Sequence, residues 1–549
     1  MLTLRLKQNC LQDLSVARLS AVLPFTLFCT FLCGLFCAGV IGCRDGRADD
    51  KQDATTHEDG GVDGGDDALV EQDADLIEVK IIHTSDEHGW LEEDKGNPPW
   101  VYGGAANVFS WWVEKEGFDR ENHILLSSGD TWTGPALSTW FYGEPVVEAF
   151  NLMGYHGVAV GNHEFDFGID VLMERIEDAE FPFLSANIYY KSTGERLEGV
   201  EPWVMLDRAG VKVGVVGLTT TTTATSGHSM HVADLFFEEY TETLDEIVPV
   251  MRDEGARVVV VLAHVCESGL SEAIGQIGVD VDLALAGHCH DFYVDDANGV
   301  PVVSSGYHFR GYSVIILEYS WSQEAVVSVR VEQQIVVYSE ENENPVTPDA
   351  EIEGLVDYWR ALVDEDLQVE VGWTVSGIVN PSWLQGNWVV DSWLWAFPQA
   401  EVALTNFGGI RRSIPPGVFT VEDIVGMLPF DNDIYLIEIT GAELVENLEA
   451  VIPTRSPAVG GMKYMADGNS VSVMLEGGVP LDPDEIYRVL VTDFLYFGGD
   501  GYLFHLQDPD PINLLTHYRQ PVIDRTSSLN TSKEDPIENY IDSSPRNVY

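Results

Sequence analysis

The sequence predicts an α/β protein of two to four domains, and three observations carry that reading. At 549 residues the chain exceeds the roughly 100–200 residues of an ordinary domain. From residue 78 onward, short runs of Val, Ile, Leu and Ala alternate with amphipathic segments, the mark of strands interleaved with helices. Five of those runs are followed within four residues by His, Asp or Asn, so polar side chains collect where strands end. Hydrophobic residues make up 45% of the chain, enough for buried cores and too many for a disordered protein.

The N-terminus reads as an address. Arg5, Lys7 and Arg18 precede an uncharged apolar stretch over 19–43, the order of a basic region and a hydrophobic region in a secretory signal. It closes on Val40-Ile41-Gly42-Cys43, which resembles the lipobox of bacterial lipoproteins and assigns 1–43 as signal peptide with lipid attached at Cys43. The alternative is a transmembrane anchor, since about 20 apolar residues span a bilayer. Either reading exports the chain to the bacterial cell envelope, periplasm or outer surface, and tethers it to a membrane. Over 44–78 the chain holds 13 Asp+Glu against three Lys+Arg with repeated Asp-Gly-Gly patterns, which self-repel and read as an acidic disordered stalk.

The five runs come next. The first, over 79–82, leads to His83-Thr84-Ser85-Asp86-Glu87-His88, and the run over 124–126 leads to Ser127-Ser128-Gly129-Asp130. The run over 158–160 leads to Gly161-Asn162-His163-Glu164-Phe165-Asp166. The run over 258–263 ends at His264, and that over 283–286 at Gly287-His288-Cys289-His290. Ligands of α/β sheets gather at the carboxyl ends of strands, so five strands would deliver these groups to one rim. Imidazole with carboxylate and amide oxygen suits Zn, Mn, Fe or Co better than calcium. The groups outnumber what one four-coordinate ion needs, which points to two divalent ions sharing a carboxylate.

Residues 312–337 are β-rich and close the first unit. The acidic, helical pattern over 348–366 reads as a connecting helix, and a second α/β unit follows. That unit carries Asn406-Phe407-Gly408-Gly409-Ile410-Arg411, then Leu428-Pro429-Phe430-Asp431-Asn432, then Asp493-Phe494 with Gly498-Gly499-Asp500-Gly501. Glycines allow close backbone approach, an arginine pairs bidentately with an anion, and aromatic faces stack on planar bases. From spacing alone, tight turns and core aromatics are the favoured reading of the same segments. The end of the chain, 526–549, reads as a weakly ordered tail.

Taken together, these motifs resemble the calcineurin-like metallophosphoesterases and, more narrowly, the 5'-nucleotidase family that includes periplasmic UDP-sugar hydrolases. The resemblance runs from about residue 80 to about residue 524. It implies a four-layer αββα metallophosphoesterase domain over 79–340, a linker helix within 341–371, and a C-terminal α/β substrate-binding domain of the 5'-nucleotidase type over 372–525. Residue by residue it implies that Asp86, His88 and His290 hold one metal, that Asn162, His264 and His288 hold the second, and that Asp130 bridges. His163 becomes the catalytic histidine beside the phosphoryl group, with Asp166 fixing its tautomer. Phe430 and Phe494 would sandwich a nucleobase, Asn406 and Arg411 would bind polar parts of the ligand, and Asp500 would accept from ribose hydroxyls. One departure stands out: over 379–385, where the family usually offers an arginine, the chain reads Val379-Asn380-Pro381-Ser382-Trp383-Leu384-Gln385. Trp383 and Trp388 either enlarge the aromatic surface or belong to the core.

Of seven cysteines five fall in the first 43 residues, which leaves Cys266 and Cys289 beside His264 and His288 and rules out a disulfide framework. The pair reads as two buried thiols, with a disulfide as the alternative in an oxidising compartment. Against 29 Lys+Arg stand 90 Asp+Glu, a balance of −61 that excludes a nucleic-acid polymer as partner and makes any anionic substrate depend on local cations. The expected function is therefore an exported, membrane-tethered two-metal hydrolase that removes phosphate from a nucleotide or nucleotide sugar. Alternatives are a 2',3'-cyclic-nucleotide phosphodiesterase/3'-nucleotidase or a UDP-sugar hydrolase on the same fold, and, from another class, a non-catalytic surface binding protein.

Overall fold

A computed structural model describes residues 75–94, 100–339, 346–453, 455–468 and 470–548. The signal segment and nearly all of the stalk lie outside the described residues. The first strand, Leu76–Thr84, opens inside the span assigned to the stalk, with Leu76 paired to Ser320. Among the described residues no helix is long and apolar enough to cross a membrane.

The N-terminal domain holds two six-stranded sheets. In the first, Leu76–Thr84, His123–Ser127, Gly157–Ala159 and Phe183–Leu184 run parallel, and Gly311–Ser320 and Ala325–Ile335 complete it antiparallel. In the second, Val211–Thr219, Val258–His264, Leu283–Ala286 and Val300–Ser305 are parallel, flanked by Trp203–Arg208 and Phe292–Ala297. Both sheets are covered on both faces, which is why their central strands are continuous apolar runs rather than alternating ones. Ile81, Ile124 and Leu126 of one sheet meet Val213, Val260 and Leu285 of the other in a shared core. Helices Ala105–Lys115 and Glu144–Met153 pack outside the first sheet, and Tyr240–Asp253 and Glu267–Ile274 outside the second, giving the αββα order. On Tyr240–Asp253 the buried Leu244, Ile247, Val248 and Met251 form the stripe that a helical period demands.

The helix Ala350–Leu367 lies in the span expected to link the domains, but it docks firmly on the first. Ile352, Val356, Trp359 and Val363, spaced three and four apart, join that domain's core, and Trp359 Nε1 donates to Glu148 Oε2 at 2.8 Å.

The C-terminal domain is built on a five-stranded sheet in the order Pro457–Gly460, Val402–Asn406, Ile486–Thr492, Asp433–Thr440, Ile512–His517. Helices Trp383–Ala396 and Gln520–Leu529 cover one face. Gly441–Val451 covers the other, started by a capping box in which Thr440 Oγ1 accepts from the Glu443 amide and Glu443 Oε2 from the Thr440 amide. Trp388 is core, its Nε1 donating to Thr526 Oγ1 at 3.0 Å, while Trp383 packs edge-on against Phe407.

The expectation of a weakly ordered tail at 526–549 is wrong. Ile537 and Ile541 are buried in the domain core, Glu538 Oε1 accepts from Thr374 Oγ1 at 2.6 Å, and Asn547 pairs with Tyr464 in a sheet. Arg546 grips Asp391 with two nitrogens at 2.6 and 2.8 Å, the bidentate form that holds a chain end in place. Two isoleucines and one arginine among polar residues carry no periodic signal, so their anchoring partners emerge only in three dimensions.

Candidate metal centre and interdomain cavity

The strand-end residues converge on one rim, as their position predicts. Asp86, His88 and His290 form one group with ligand atoms within 4.8 Å of one another, and Asp130, His264 and His288 form a second. Asp130 Oδ2 lies 3.0 Å from His264 Nε2 and 3.9 Å from His88 Nε2, so its carboxylate reaches both groups. Asn162 lines the same cavity with its Oδ1 buried and without a hydrogen-bond partner.

The backbone is bent to make this possible. Asp86, His88, Asp130, His288 and His290, five of the seven candidate ligands, sit at positive φ between 46° and 74°. Such left-handed non-glycine residues cost about 1–3 kcal/mol each and persist where surrounding structure holds them, typically at functional sites. Gly161 is required for a different reason: a Cβ there would collide with Asp130 Oδ1.

Hydrogen bonds behind the ligands set their tautomers. His264 Nδ1 donates to the Ser128 carbonyl at 2.8 Å and His88 Nδ1 to the Thr133 carbonyl at 2.9 Å, which turns both Nε2 lone pairs inward. There His264 Nε2 faces an anionic oxygen at 3.0 Å without a hydrogen bond, and His88 Nε2 faces His290 Nε2 at 3.0 Å. Lone pairs aimed at a carboxylate and at each other call for a cation between them. The electrostatics show the same demand for positive charge beside Asp130. Burial opposes protonation of His264, yet the Asp130 and Asp86 carboxylates hold its pKa up to about 10. Burial, aided by nearby positive charge, pushes His288 down to about 4 and His290 to about 3, leaving neutral imidazoles at pH 7. These donors fit divalent metal.

His163 and Asp166 are joined at 2.7 Å through Nδ1, which leaves Nε2 facing the cavity 4.0 Å from Asp130 Oδ2. Burial lowers the His163 pKa, but the Asp166 and Asp130 charges outweigh it and the net direction is upward. Glu164, given no role from sequence, fastens the turn: its carboxylate accepts from the amides of Asp130, Thr131 and Gly161 at 3.0, 2.7 and 2.6 Å.

The opposite wall comes from the C-terminal domain. A cavity of about 320 Å³ runs between the domains, lined at one end by Asp130, His163 and His288 and at the other by Phe430, Phe494 and Asp500. Arg411 stands in it with its guanidinium 5.3 Å above the Phe430 ring. Phe430 also stacks on His163, with centroids 5.6 Å apart. Asp500, held at positive φ, accepts from Asn406 Nδ2 at 2.7 Å and pairs with Arg455. Arg455, like His228 on the N-terminal side, lines the cavity and was not found by sequence reasoning, because each stands alone among residues of other kinds.

One sequence expectation is overturned here. Cys266 and Cys289 are not a thiol pair but a disulfide, with Cα atoms 5.1 Å apart. The metal-group residues beside them bring their loops together.

Comparison with known proteins agrees with this architecture. The calcineurin-like phosphoesterase family model matches residues 79–292, and that of the 5'-nucleotidase C-terminal domain matches 380–507. The chain is 26% identical over 531 residues to the protein UshA of Escherichia coli, covering 85% of this chain and 95% of that one. It is 27% identical over 486 residues to a 5'-nucleotidase of Vibrio vulnificus, covering 77% and 85%. In fold it matches the crystal structure of a 5'-nucleotidase precursor from Thermus thermophilus at a TM-score of 0.75 and 22% identity, over 86% of this chain and 99% of that one.

Proposed function

Because the chain belongs to the calcineurin-like phosphoesterases that carry a 5'-nucleotidase C-terminal domain, and is a phosphoester hydrolase, we propose that it releases phosphate from nucleoside 5'-phosphates. The observation that carries this reading is the single cavity with metal-type ligands at one end and Phe430, Phe494 and Asp500 at the other. A nucleotide is bipolar in the same sense, with a phosphoryl group at one end and a planar base at the other.

Asp86, His88 and His290 would hold one divalent ion, Asn162, His264 and His288 a second, and Asp130 both. When bound, such ions (Zn, Mn, Fe or Co) supply Lewis acidity at the phosphoryl group and lower the pKa of the attacking water. The protein's own groups do the rest. Asp166 accepts the Nδ1 proton of His163, and its charge with that of Asp130 favours the imidazolium, whose second proton at Nε2 stabilises charge on the phosphoryl group or passes to the leaving oxygen. Arg411 adds fixed positive charge beside it. Phe494 and Phe430 offer faces for the base. Asp500 retains lone pairs for ribose hydroxyls beyond those used by Asn406 and Arg455.

Phosphate release from AMP with manganese or zinc, abolished by chelator, is the test. A panel adding 3'- and 2',3'-cyclic nucleotides and UDP-glucose separates the related activities, and failure on every substrate would leave only a binding role. We propose further that the protein is exported and lipid-anchored at Cys43. The basic-then-apolar leader and the small residue before Cys43 support this, as does a disulfide of the kind that persists in oxidising compartments. Mass spectrometry of the mature N-terminus tests it, since an unmodified Cys43 behind an intact leader would refute lipidation.

A further inference from the structure

Asp493 is the hub of the nucleoside end of the cavity. Its Oδ1 accepts from Asn432 Nδ2 and from the Phe494 amide, both at 2.8 Å, and its Oδ2 accepts from the Asp433 amide at 3.2 Å. One buried carboxylate thus ties the loop that bears Phe430 to the segment that bears Phe494. A further bond reaches it from the other domain: His228 Nε2 lies 3.3 Å from Asp493 Oδ2.

His228 is itself held from the catalytic side. It is 9% exposed, and its ring stacks on that of His231 with centroids 3.9 Å apart and planes 16° from parallel. His231 Nδ1 in turn donates to the carbonyl of Phe165 at 2.8 Å, in the turn His163–Phe165. Ser229 Oγ adds a second interdomain bond, to the Phe497 carbonyl at 3.2 Å. A continuous strut therefore runs from the His163 turn through His231 and His228 to Asp493, and from there to both aromatic residues. Because its ends belong to different domains, it exists only while the domains are apposed.

We propose that His228 is a positioning residue which, by holding Asp493, makes the nucleoside-binding arrangement of Phe430 and Phe494 depend on apposition of the two domains. The inference rests on the nucleotide reading above. A residue of this kind acts on nucleoside-bearing substrates far more than on small phosphate esters, whereas a merely structural histidine affects both alike.

The test uses the full-length, metal-loaded protein with AMP and with p-nitrophenyl phosphate, comparing His228→Ala, His228→Gln, Asp493→Asn and the double variant H228A/D493N. The expected result for His228→Ala is a KM for AMP raised at least tenfold. Its loss of kcat/KM on AMP should be at least ten times its loss on the aryl phosphate. Glutamine, which keeps a donor, should recover part of the deficit, and the double variant should be no worse than the worse single one. Equal losses on the two substrates, or additive losses in the double variant, overturn the proposal. If His228→Ala fails to fold, the glutamine variant paired with Asp493→Asn carries the same comparison. A wild-type protein that cleaves the aryl ester but no nucleotide overturns the nucleotide reading and this one with it. Nucleotide cleavage with additive variants overturns this one alone.

Discussion

Arg411 Nη2 in the C-terminal domain lies 3.4 Å from His163 Nε2 in the N-terminal domain. The contact joins the guanidinium on the C-terminal wall of the cavity to the imidazole on its metal-group wall. With no arginine over 379–385, an anion bound as proposed would rely on Arg411 for fixed charge at this point.

Arg411→Ala should therefore lower kcat/KM for AMP by roughly 10- to 150-fold, the worth of about 1.5–3 kcal/mol for a hydrogen bond to a charged group. Arg411→Lys should recover only part, since it restores charge without the planar fork. Steady-state kinetics check this, and full recovery by lysine would reduce Arg411 to a point charge.

Asp130 and His163 should separate cleanly. Asp130→Ala is expected to lose metal from both groups, because its carboxylate reaches His264 at 3.0 Å and His88 at 3.9 Å. His163→Ala should keep its metal and slow turnover by about 10²–10⁴-fold. Elemental analysis beside activity decides it, and a metal-replete Asp130→Ala would disprove bridging.

The two cavity phenylalanines should differ from each other. Phe494→Ala should cost about 1–3 kcal/mol of nucleotide binding and spare a base-free aryl phosphate. Phe430→Ala should harm both substrates, because its ring also stacks on His163 at 5.6 Å. Equal selectivity in the two variants would show that the contact with His163 is idle.

Removing the disulfide should loosen metal binding. Cys266 lies two residues from His264 and Cys289 one from His288, so the bridge clamps two ligand loops. The double variant C266S/C289S should lose metal to a chelator faster than wild type and be less stable to unfolding by about 3 kcal/mol, the worth of closing a short loop. Unchanged chelator sensitivity would confine the bridge to global stability.

Affinity for nucleotide should weaken with rising pH through the His228 contact. Burial lowers the His228 pKa, but its bond to Asp493 and the charges of Asp493, Asp166 and Asp431 outweigh this, with His231 stacked beside it. The folded value is thus above the ordinary one near 6.5, so the pairing contributes fully below 6.5 and is lost as pH rises through the raised value. A KM for AMP that climbs above neutrality in wild type and is flat in His228→Gln is the expected profile.

The grouping of the candidate metal ligands was largely legible in the chain itself. The runs leading to Asp86, Asp130, Asn162, His264 and His288 reveal strands by composition, and within each of the two sheets the parallel strands deliver their carboxyl ends to the same side, the first three in one sheet and the last two in the other. The pairing of His163 with Asp166 was equally open, because three residues span one turn. Glu164 stood within the same string, but its acceptance of three amides became visible only once the strand ends met.

What only the tertiary structure decided is of a different kind. His228 and Asp493 are 265 residues apart, Arg546 and Asp391 155, and Cys266 and Cys289 23. Neither a helical nor a strand period relates such pairs, so local pattern left the tail unanchored, the cysteines unjoined and the strut unseen. Local sequence governs backbone angles and which face of an element is apolar. Which side chains then meet depends on how whole sheets and domains dock. That docking follows from the burial of many apolar residues at once rather than from any residue in the pair.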